Sequence, residues 1–320
     1  NKPLTNTAEL LQGVVPGMEI RRTNQGKVGE EGYDIRLRGV TSRSDPGILV
    51  VVDGIPYSDN NANALNKINP QDIENITILK DAQAAIYGAR AAGGVLLVTT
   101  KKGKTEKPTI SYTGNFNFNT PASVPQKVNV LQHIEMMGEL YANDGISNHF
   151  FTHLLPYVNT ADIYSKNPEV VKGPFGDTPD LVLGWHDWWK EMYGTAFDHS
   201  HNLSISGGSE KSNYYASIGY LDQGSMFNYG EHNNKKYWGR FKYEYNLNKY
   251  IKLRSNVYVG RKKVTEPYDI NQLAWLTYWT WNCQPTFNPQ GQYYGSGGFG
   301  NPIAFAEHTG NRWKTYYSYY

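Results

Sequence analysis

Tyr237-Trp238-Gly239-Arg240-Phe241-Lys242-Tyr243-Glu244-Tyr245-Asn246-Leu247-Asn248 changes character at every residue. Tyr237, Gly239, Phe241, Tyr243, Tyr245 and Leu247 fall on one side. Trp238, Arg240, Lys242, Glu244, Asn246 and Asn248 fall on the other. A period of two is that of an extended strand with one apolar and one polar face. Past a turn at Asn248-Lys249-Tyr250 the pattern resumes, with Ile251, Leu253, Val257 and Val259 alternating with Lys252, Arg254 and Asn256. Upstream, Thr109–Asn119 sets Ile110, Tyr112, Phe116 and Phe118 against Ser111, Thr113, Asn115 and Asn117. Further strands are expected at Asn202–Ser206 and Asn213–Leu221, joined at Gly207-Gly208-Ser209, and from near Arg312 to Tyr320.

The connections between these strands alternate. Those at 207–212 and 248–250 are tight, whereas 120–200, 222–236 and 263–311 are long. Outer-membrane barrels have that asymmetry, with short periplasmic turns and long outer loops. A soluble β-protein built of hairpins, with a glycan-binding role, is the competing reading, but it gives no reason for strict alternation. About six strands are visible, and the smallest single-chain bacterial barrels have about eight. An open wall would leave unpaired backbone groups at lipid depth. Most of the barrel is therefore expected beyond Tyr320.

Composition fits such a wall. The chain has 320 residues, with 31 Lys+Arg against 29 Asp+Glu and a formal charge of +2, which disfavours a nucleic-acid binder with a basic surface. Mean hydropathy is -0.59. No run of about 18 apolar residues occurs, which excludes a helical span but not a barrel, whose alternating strands average to a polar value. Aromatics number 8 Trp, 25 Tyr and 11 Phe, and Tyr suits surfaces that are half wet and half apolar. The single Cys283 has no partner for an internal disulfide, and no Cys or His spacing resembles a zinc site. The chain opens at Asn1 without a secretory signal pattern, so a processed chain or a fragment is expected.

Residues 1–107 follow a different grammar. Leu10, Leu11, Val14 and Val15 have helical spacing, ended by Pro16-Gly17. Met18–Arg22, Asp34–Val40 and Ile76–Lys80 suggest short strands. Ile48–Asp53 and Val95–Thr100 are continuous apolar runs, as in strands buried on both faces. Pro70-Gln71-Asp72-Ile73 and Ala82–Tyr87 suggest short helices, and Lys101-Lys102-Gly103-Lys104 a solvated exit. This reads as a small α+β unit preceding the strands.

Several blocks in order now resemble a known family. They are Leu11-Gln12-Gly13, Pro16-Gly17-Met18-Glu19-Ile20, Ile35-Arg36-Leu37-Arg38-Gly39 and Val50-Val51-Val52-Asp53-Gly54-Ile55-Pro56-Tyr57. Ile68-Asn69-Pro70-Gln71-Asp72-Ile73-Glu74, Ile86-Tyr87-Gly88-Ala89-Arg90 and Gly93–Gly103 are the most specific. Leu203–Gly208, Tyr214–Asp222 and Asn288–Tyr294 continue the match. Together they resemble the N-terminal third of a SusC/RagA-type TonB-dependent outer-membrane transporter. The resemblance implies an α+β plug domain over 1–107 inside a transmembrane antiparallel β-barrel, begun at 108–320 and of about 22 strands in the family. It implies import of an oligosaccharide or peptide across the outer membrane of a Gram-negative, Bacteroidetes-type bacterium. The implied partners are a SusD-like surface lipoprotein, the TonB-ExbB-ExbD energising system and outer-membrane lipid. The family's carboxypeptidase-D-like domain and TonB box are not in this chain. A TonB box upstream of Asn1 would separate import from the alternative, a structural or assembly subunit with the same fold.

The resemblance also nominates residues. Arg38 matches a plug arginine that pairs with acids on the barrel wall, and Lys80-Asp81 stands where a second such block would be. The alternative for each is an ordinary solvated charge. Three loops are expected to face outward, carrying Asn24, Gln25, Arg43, Tyr57, Asp59, Asn60, Asn61 and Asn63. Their amides and ring suit sugars or peptide backbones, although Asn-rich loops also serve as plain turns. Trp185, Trp188 and Trp189 fit a membrane-interface girdle better than a sugar platform. His199 and His201 share one strand face without a third ligand, so no metal is expected. No GxGxxG, P-loop or nucleophile-elbow setting occurs, so neither a cofactor nor an enzymatic activity is expected.

Overall fold

The computed structural model describes residues 7–11, 13, 16–23, 27–30, 32–37, 47–57, 65, 67–104, 107–146, 169–171, 181–183, 186–281, 286–287, 291–293, 301–308 and 311–319. Helix α1 spans Thr7–Leu11, and β1 (Met18–Arg22) pairs antiparallel with β2 (Tyr33–Leu37). A second sheet is built from β3 (Leu49–Val52), β4 (Ile55–Pro56), β5 (Ile73–Leu79) and β6 (Val95–Thr100), in the order β4-β3-β6-β5. Strands β3 and β6 run parallel, and all four residues of β3 are buried, as its continuous apolar run demands. One face of this sheet packs Val50, Val52, Leu96 and Val98 on Ile35, Ile48, Leu65 and Ile68. The other packs Leu49, Val51 and Val95 on Ala84 and Ala91. Each such aliphatic side chain contributes about 1.5–3 kcal/mol by leaving water.

Two expectations for this unit shift. Pro70–Asp72 is a 3₁₀ turn capped by Asn69, and β5 starts immediately after it. The segment expected as a helix at Ala82–Tyr87 is instead a chain of 3₁₀ turns at Asp81–Gln83, Ala85–Tyr87 and Ala89–Ala91. Only Ala84 and Ala91 of this stretch are buried hydrophobics, too few to hold a short helix that water alone would melt.

The wall is one six-stranded antiparallel sheet. Its strands are β7 (Thr109–Asn119), β10 (Ala196–Gly208), β11 (Ser212–Gln223), β12 (Asn233–Asn246), β13 (Lys252–Pro267) and β14 (Asn311–Tyr319), hydrogen-bonded in chain order. A small hairpin of β8 (Glu169–Val171) and β9 (Leu181–Leu183) lies in the first long connection. Strand β7 has the expected bounds. The other strands run beyond the expected segments, at Ala196–His201 and Gly207–Gly208, at Ser212 and Asp222–Gln223, at Asn233–Lys236 and at Gly260–Pro267, where backbone pairing continues past the apolar band.

Register sorts the two faces of the wall. Ile110, Tyr112, Phe116, Phe118, Leu203, Ile218, Phe241, Val257 and Val259 point outward and are exposed. The opposite face carries Asn202, Ser217, Arg240 and Tyr258, all buried against the N-terminal unit. Tyr237 and Tyr245 are eight residues apart on the outward face, about 20 Å at a rise of about 3.4 Å and a tilt of about 40°. That approaches the apolar band of an outer-membrane barrel, about 25 Å tall. Among the described residues no helix is long and apolar enough to cross a membrane.

The long connections gather at one end of the wall. Helix α2 (Val130–Asn143) opens on an Asn129–Gln132 capping box. Three further helices pack together there: α3 (Trp188–Met192), α4 (Ile270–Trp279) and α5 (Pro302–His308), around Trp188, Met192, Leu273, Ile303 and Ala306. Trp188 is therefore a core residue of this loop cluster, its indole N–H donating to the Trp281 carbonyl at 3.0 Å. It is not a girdle residue, because a ring enclosed on all sides meets no lipid. Trp189 stacks on Tyr193, and Trp185 lies outside the described residues.

Candidate functional site

The N-terminal unit meets the wall through two clusters of charge. The first grows from a two-residue turn. Val52 pairs with Ile55, leaving Asp53-Gly54 as the corner, with φ of 50° and 90°. Positive φ at both positions is the type I′ geometry that Asp-Gly favours. The turn aims the Asp53 carboxylate at the end of β6 and at the wall. It accepts from the Thr100 N–H at 2.9 Å and the Thr100 hydroxyl at 2.7 Å. From the wall it receives Lys242 Nζ at 2.9 Å and Asn256 Nδ2 at 3.1 Å, with Arg240 Nη1 at 3.8 Å. Burial opposes ionisation of Asp53, but the Thr100 and Lys242 donors prevail and hold its carboxyl below the usual range.

Asp72, at the end of the 3₁₀ turn, is fully buried beside it. Its Oδ1 accepts from Tyr215 at 2.9 Å and Ser217 at 2.7 Å, and its Oδ2 lies 3.5 Å from Arg240 Nε. The Arg240 side chain is 0% exposed and sits 5.1 Å from the Tyr258 ring centroid. Asn69 Nδ2 donates to Asn202 Oδ1 at 3.1 Å, and the Tyr258 hydroxyl donates to the Lys67 carbonyl at 2.7 Å. Both carboxylates come from the N-terminal unit and both cations from the wall.

The second cluster lies at the end of the wall that carries the long connections. Glu30 receives Lys314 Nζ at 2.8 Å and the Tyr316 hydroxyl, and Glu266 receives Lys314 at 2.7 Å. Lys262 donates to the Gly29 carbonyl at 2.6 Å. The Val28 N–H donates to His232 Nε2 at 3.3 Å, and His232 Nδ1 contacts Ser225 Oγ at 2.9 Å. Gly29, at φ of +76°, brings its backbone so close that a Cβ would meet Asn234 at 2.5 Å. Burial opposes ionisation of Glu30, yet Lys314 and Tyr316 lower its carboxyl. Burial drives the His232 imidazolium down to about 4, so the ring is a neutral acceptor at neutral pH.

Of the residues nominated from sequence, Asn24, Gln25, Arg38, Arg43, Asp59, Asn60, Asn61 and Asn63 lie outside the described residues. Tyr57 follows β4, packs against the core of its own unit and donates its N–H to the Val50 carbonyl at 2.9 Å. Lys80 contacts the Pro16 carbonyl at 3.4 Å, within the N-terminal unit, and Asp81 opens a 3₁₀ turn. His199 and His201 share the outward face, with ring nitrogens 3.2 Å apart and Tyr112 at 2.7 Å from His201. The sequence reading missed Asp53, Asp72, Arg240 and Lys242 as a set. A signal existed: Arg240 and Lys242 have the parity opposite to the aromatics, so they had to face the interior.

A wall that is apolar outside, polar inside and ion-paired to an α/β unit on its inner side is the arrangement of a plugged outer-membrane β-barrel. The TonB-dependent Receptor Plug Domain family matches residues 1–95. The TonB-dependent receptor SusC of Bacteroides thetaiotaomicron is 33% identical over 231 residues, 69% of this chain and 19% of that protein. The TonB-dependent receptor P26 of Formosa agariphila is 31% identical over 318 residues, 94% of this chain and 28% of that protein. The RagAB peptide importer in its closed-closed state superposes with a TM-score of 0.71 at 26% identity, covering 95% of this chain and 35% of that one. The chain belongs to the SusC/RagA-type TonB-dependent receptors of the Gram-negative outer membrane. It spans about a fifth to a third of the length of these relatives.

Proposed function

We propose that the whole protein imports a nutrient of the oligosaccharide or peptide class, powered by TonB-ExbB-ExbD and working with a SusD-like surface lipoprotein. The observation that carries this reading is the interface of Asp53 and Asp72 with Arg240 and Lys242. A plug must hold at rest and yet separate under a pull. Paired charges and hydrogen bonds suit that, because water can replace each partner once the interface opens, whereas a large apolar seam would resist. The relatives named SusC and RagAB peptide importer support the same reading.

In this proposal residues 1–107 are the plug and 108–320 the first staves of a barrel of about 22 strands. The acids Asp53 and Asp72 act as the lock, with Arg38, Lys80 and Asp81 as further lock candidates. Asn24, Gln25, Arg43, Tyr57, Asp59, Asn60, Asn61 and Asn63 are the cargo-facing candidates. The protein carries no catalytic role. The test is uptake of a panel of labelled oligosaccharides and peptides by the source bacterium. Deleting this gene and disabling TonB should abolish uptake of the same panel member. If the gene deletion leaves every uptake unchanged, or one lost on deletion survives without TonB, the proposal fails.

A further inference from the structure

The outward face of the wall is apolar over its middle but basic at the end nearest the long connections. Register sets the positions: Tyr220 pairs with Tyr237 and Tyr237 with Arg261, while Asp222 pairs with Lys235 and Lys235 with Lys263. Tyr237 and Phe241 share this outward parity, so Lys235, Arg261 and Lys263 project from the lipid side. They sit level with the tyrosine row or one step above it. Headgroups replace acyl chains at that depth.

The arrangement is unfavourable as it stands. Lys235 and Lys263 are directly opposite each other, and like charges so placed destabilise a sheet. Asp222 lies on this patch, 3.6 Å from Lys235 and also accepting the Tyr220 hydroxyl at 2.8 Å, and Glu231 lies just above it, accepting from Asn233 Nδ2 at 3.1 Å. Among the described residues neither Arg261 nor Lys263 has a carboxylate partner. The nearby Glu266 and Glu30 are engaged by Lys314 on the opposite face of the sheet. Among the described residues, Lys235, Arg261 and Lys263 thus stand against Asp222 and Glu231 at a lipid boundary and leave an excess positive charge for an anion to meet.

The surface beneath the patch completes the site. Gly239 lies between Tyr237 and Phe241 on the outward face, beside Ile218 and Val259 in register. A Cβ there would meet nothing closer than the Ser217 carbonyl at 3.8 Å, so the glycine leaves a shallow furrow between aliphatic side chains. We propose that Lys235, Arg261 and Lys263 bind the phosphate of an outer-leaflet glycolipid whose acyl chain lies over Gly239. Arginine supplies planar bidentate donors to the phosphate, and the lysines supply point charge. The site is independent of what the transporter imports.

The test uses the full-length transporter in detergent and native mass spectrometry with monophosphoryl lipid A or the same lipid dephosphorylated. The wild type should retain the phosphorylated lipid about tenfold better, the order expected of several cations at a membrane surface. The K235Q/R261Q/K263Q variant should lose that preference, and K235R/K263R should keep it. Heat-modifiable gel mobility reports whether each variant has folded; if the triple variant has not, R261Q and the wild-type lipid comparison decide. Equal retention of the two lipids by the wild type, or an undiminished preference in folded glutamine variants, overturns the proposal. Displacement of the lipid by millimolar inorganic phosphate alone would make this an anion site and overturn the lipid assignment.

Discussion

The two clusters that tie the N-terminal unit to the wall use the same chemistry in different surroundings. Around Asp72 the carboxylate and the Arg240 side chain are both 0% exposed. Around Glu30 the cation is Lys314, 35% exposed. Coulomb attraction grows as water leaves, but so does the cost of an uncompensated charge. The inner cluster should therefore tolerate loss of one partner poorly, and the outer cluster should yield to salt and pH.

Arg240→Met in the full-length protein should cost about 3–5 kcal/mol, because the buried Asp72 side chain loses its cation. Thermal unfolding and hydrogen exchange of β3 and β6 would read the loss. Adding Asp72→Asn should recover part of it; strict additivity of the two changes would break the pairing. The next effect belongs to His232. Its imidazolium is disfavoured in the fold, so the unfolded chain takes a proton first as pH falls. Stability should drop between about pH 6.5 and about pH 4, then level off, with a loss on the order of 2–4 kcal/mol. His232→Gln should remove that part of the pH profile; an unaltered profile would show that another group carries it.

Asp53 works in the same protonation sense, over a lower pH range. Its carboxyl is held below its ordinary 3.8, so its contribution is complete above that pH and fades as pH falls further. Asp53→Asn should cost about 1–3 kcal/mol at pH 7, as expected for hydrogen bonds to a charged group, and flatten the acid limb. The smallest effect is expected for Lys314→Gln, about 1–2 kcal/mol and diminishing with salt, because the cation is 35% exposed although its partners Glu30 and Glu266 are 17% and 4% exposed. A loss matching that of Arg240→Met would erase the contrast between the clusters.

Much of this architecture was legible in the sequence because a barrel wall states its faces residue by residue. Thr109–Asn119 announced its own bounds. Strands β11 to β13 were under-read where Gln223, Lys235 and Lys262–Glu266 interrupt the apolar rhythm, since backbone pairing continues there without lipid on the outer side. The lock was only half legible. Arg240 and Lys242 declared an inward direction, but their partners lie 168 and 189 positions upstream at Asp72 and Asp53, and only the fold brings them together. The Asp53-Gly54 turn had a local signature, while Asp72 lies in the Pro70–Ile73 segment, which reads only as a short helix.

The most direct measurement is a disulfide trap across the interface in the full-length protein, with Cys283 replaced by Ser. Asn69 and Asn202 face each other across the interface at 3.1 Å. The Asn69→Cys/Asn202→Cys pair should cross-link on oxidation in outer membranes and separate on reduction. Asn69→Cys with Leu203→Cys, whose second thiol points to lipid, should not. Cross-linking of the outward pair, or none in the inward pair when both thiols are present and the barrel is folded, would contradict the seating of this unit inside the wall.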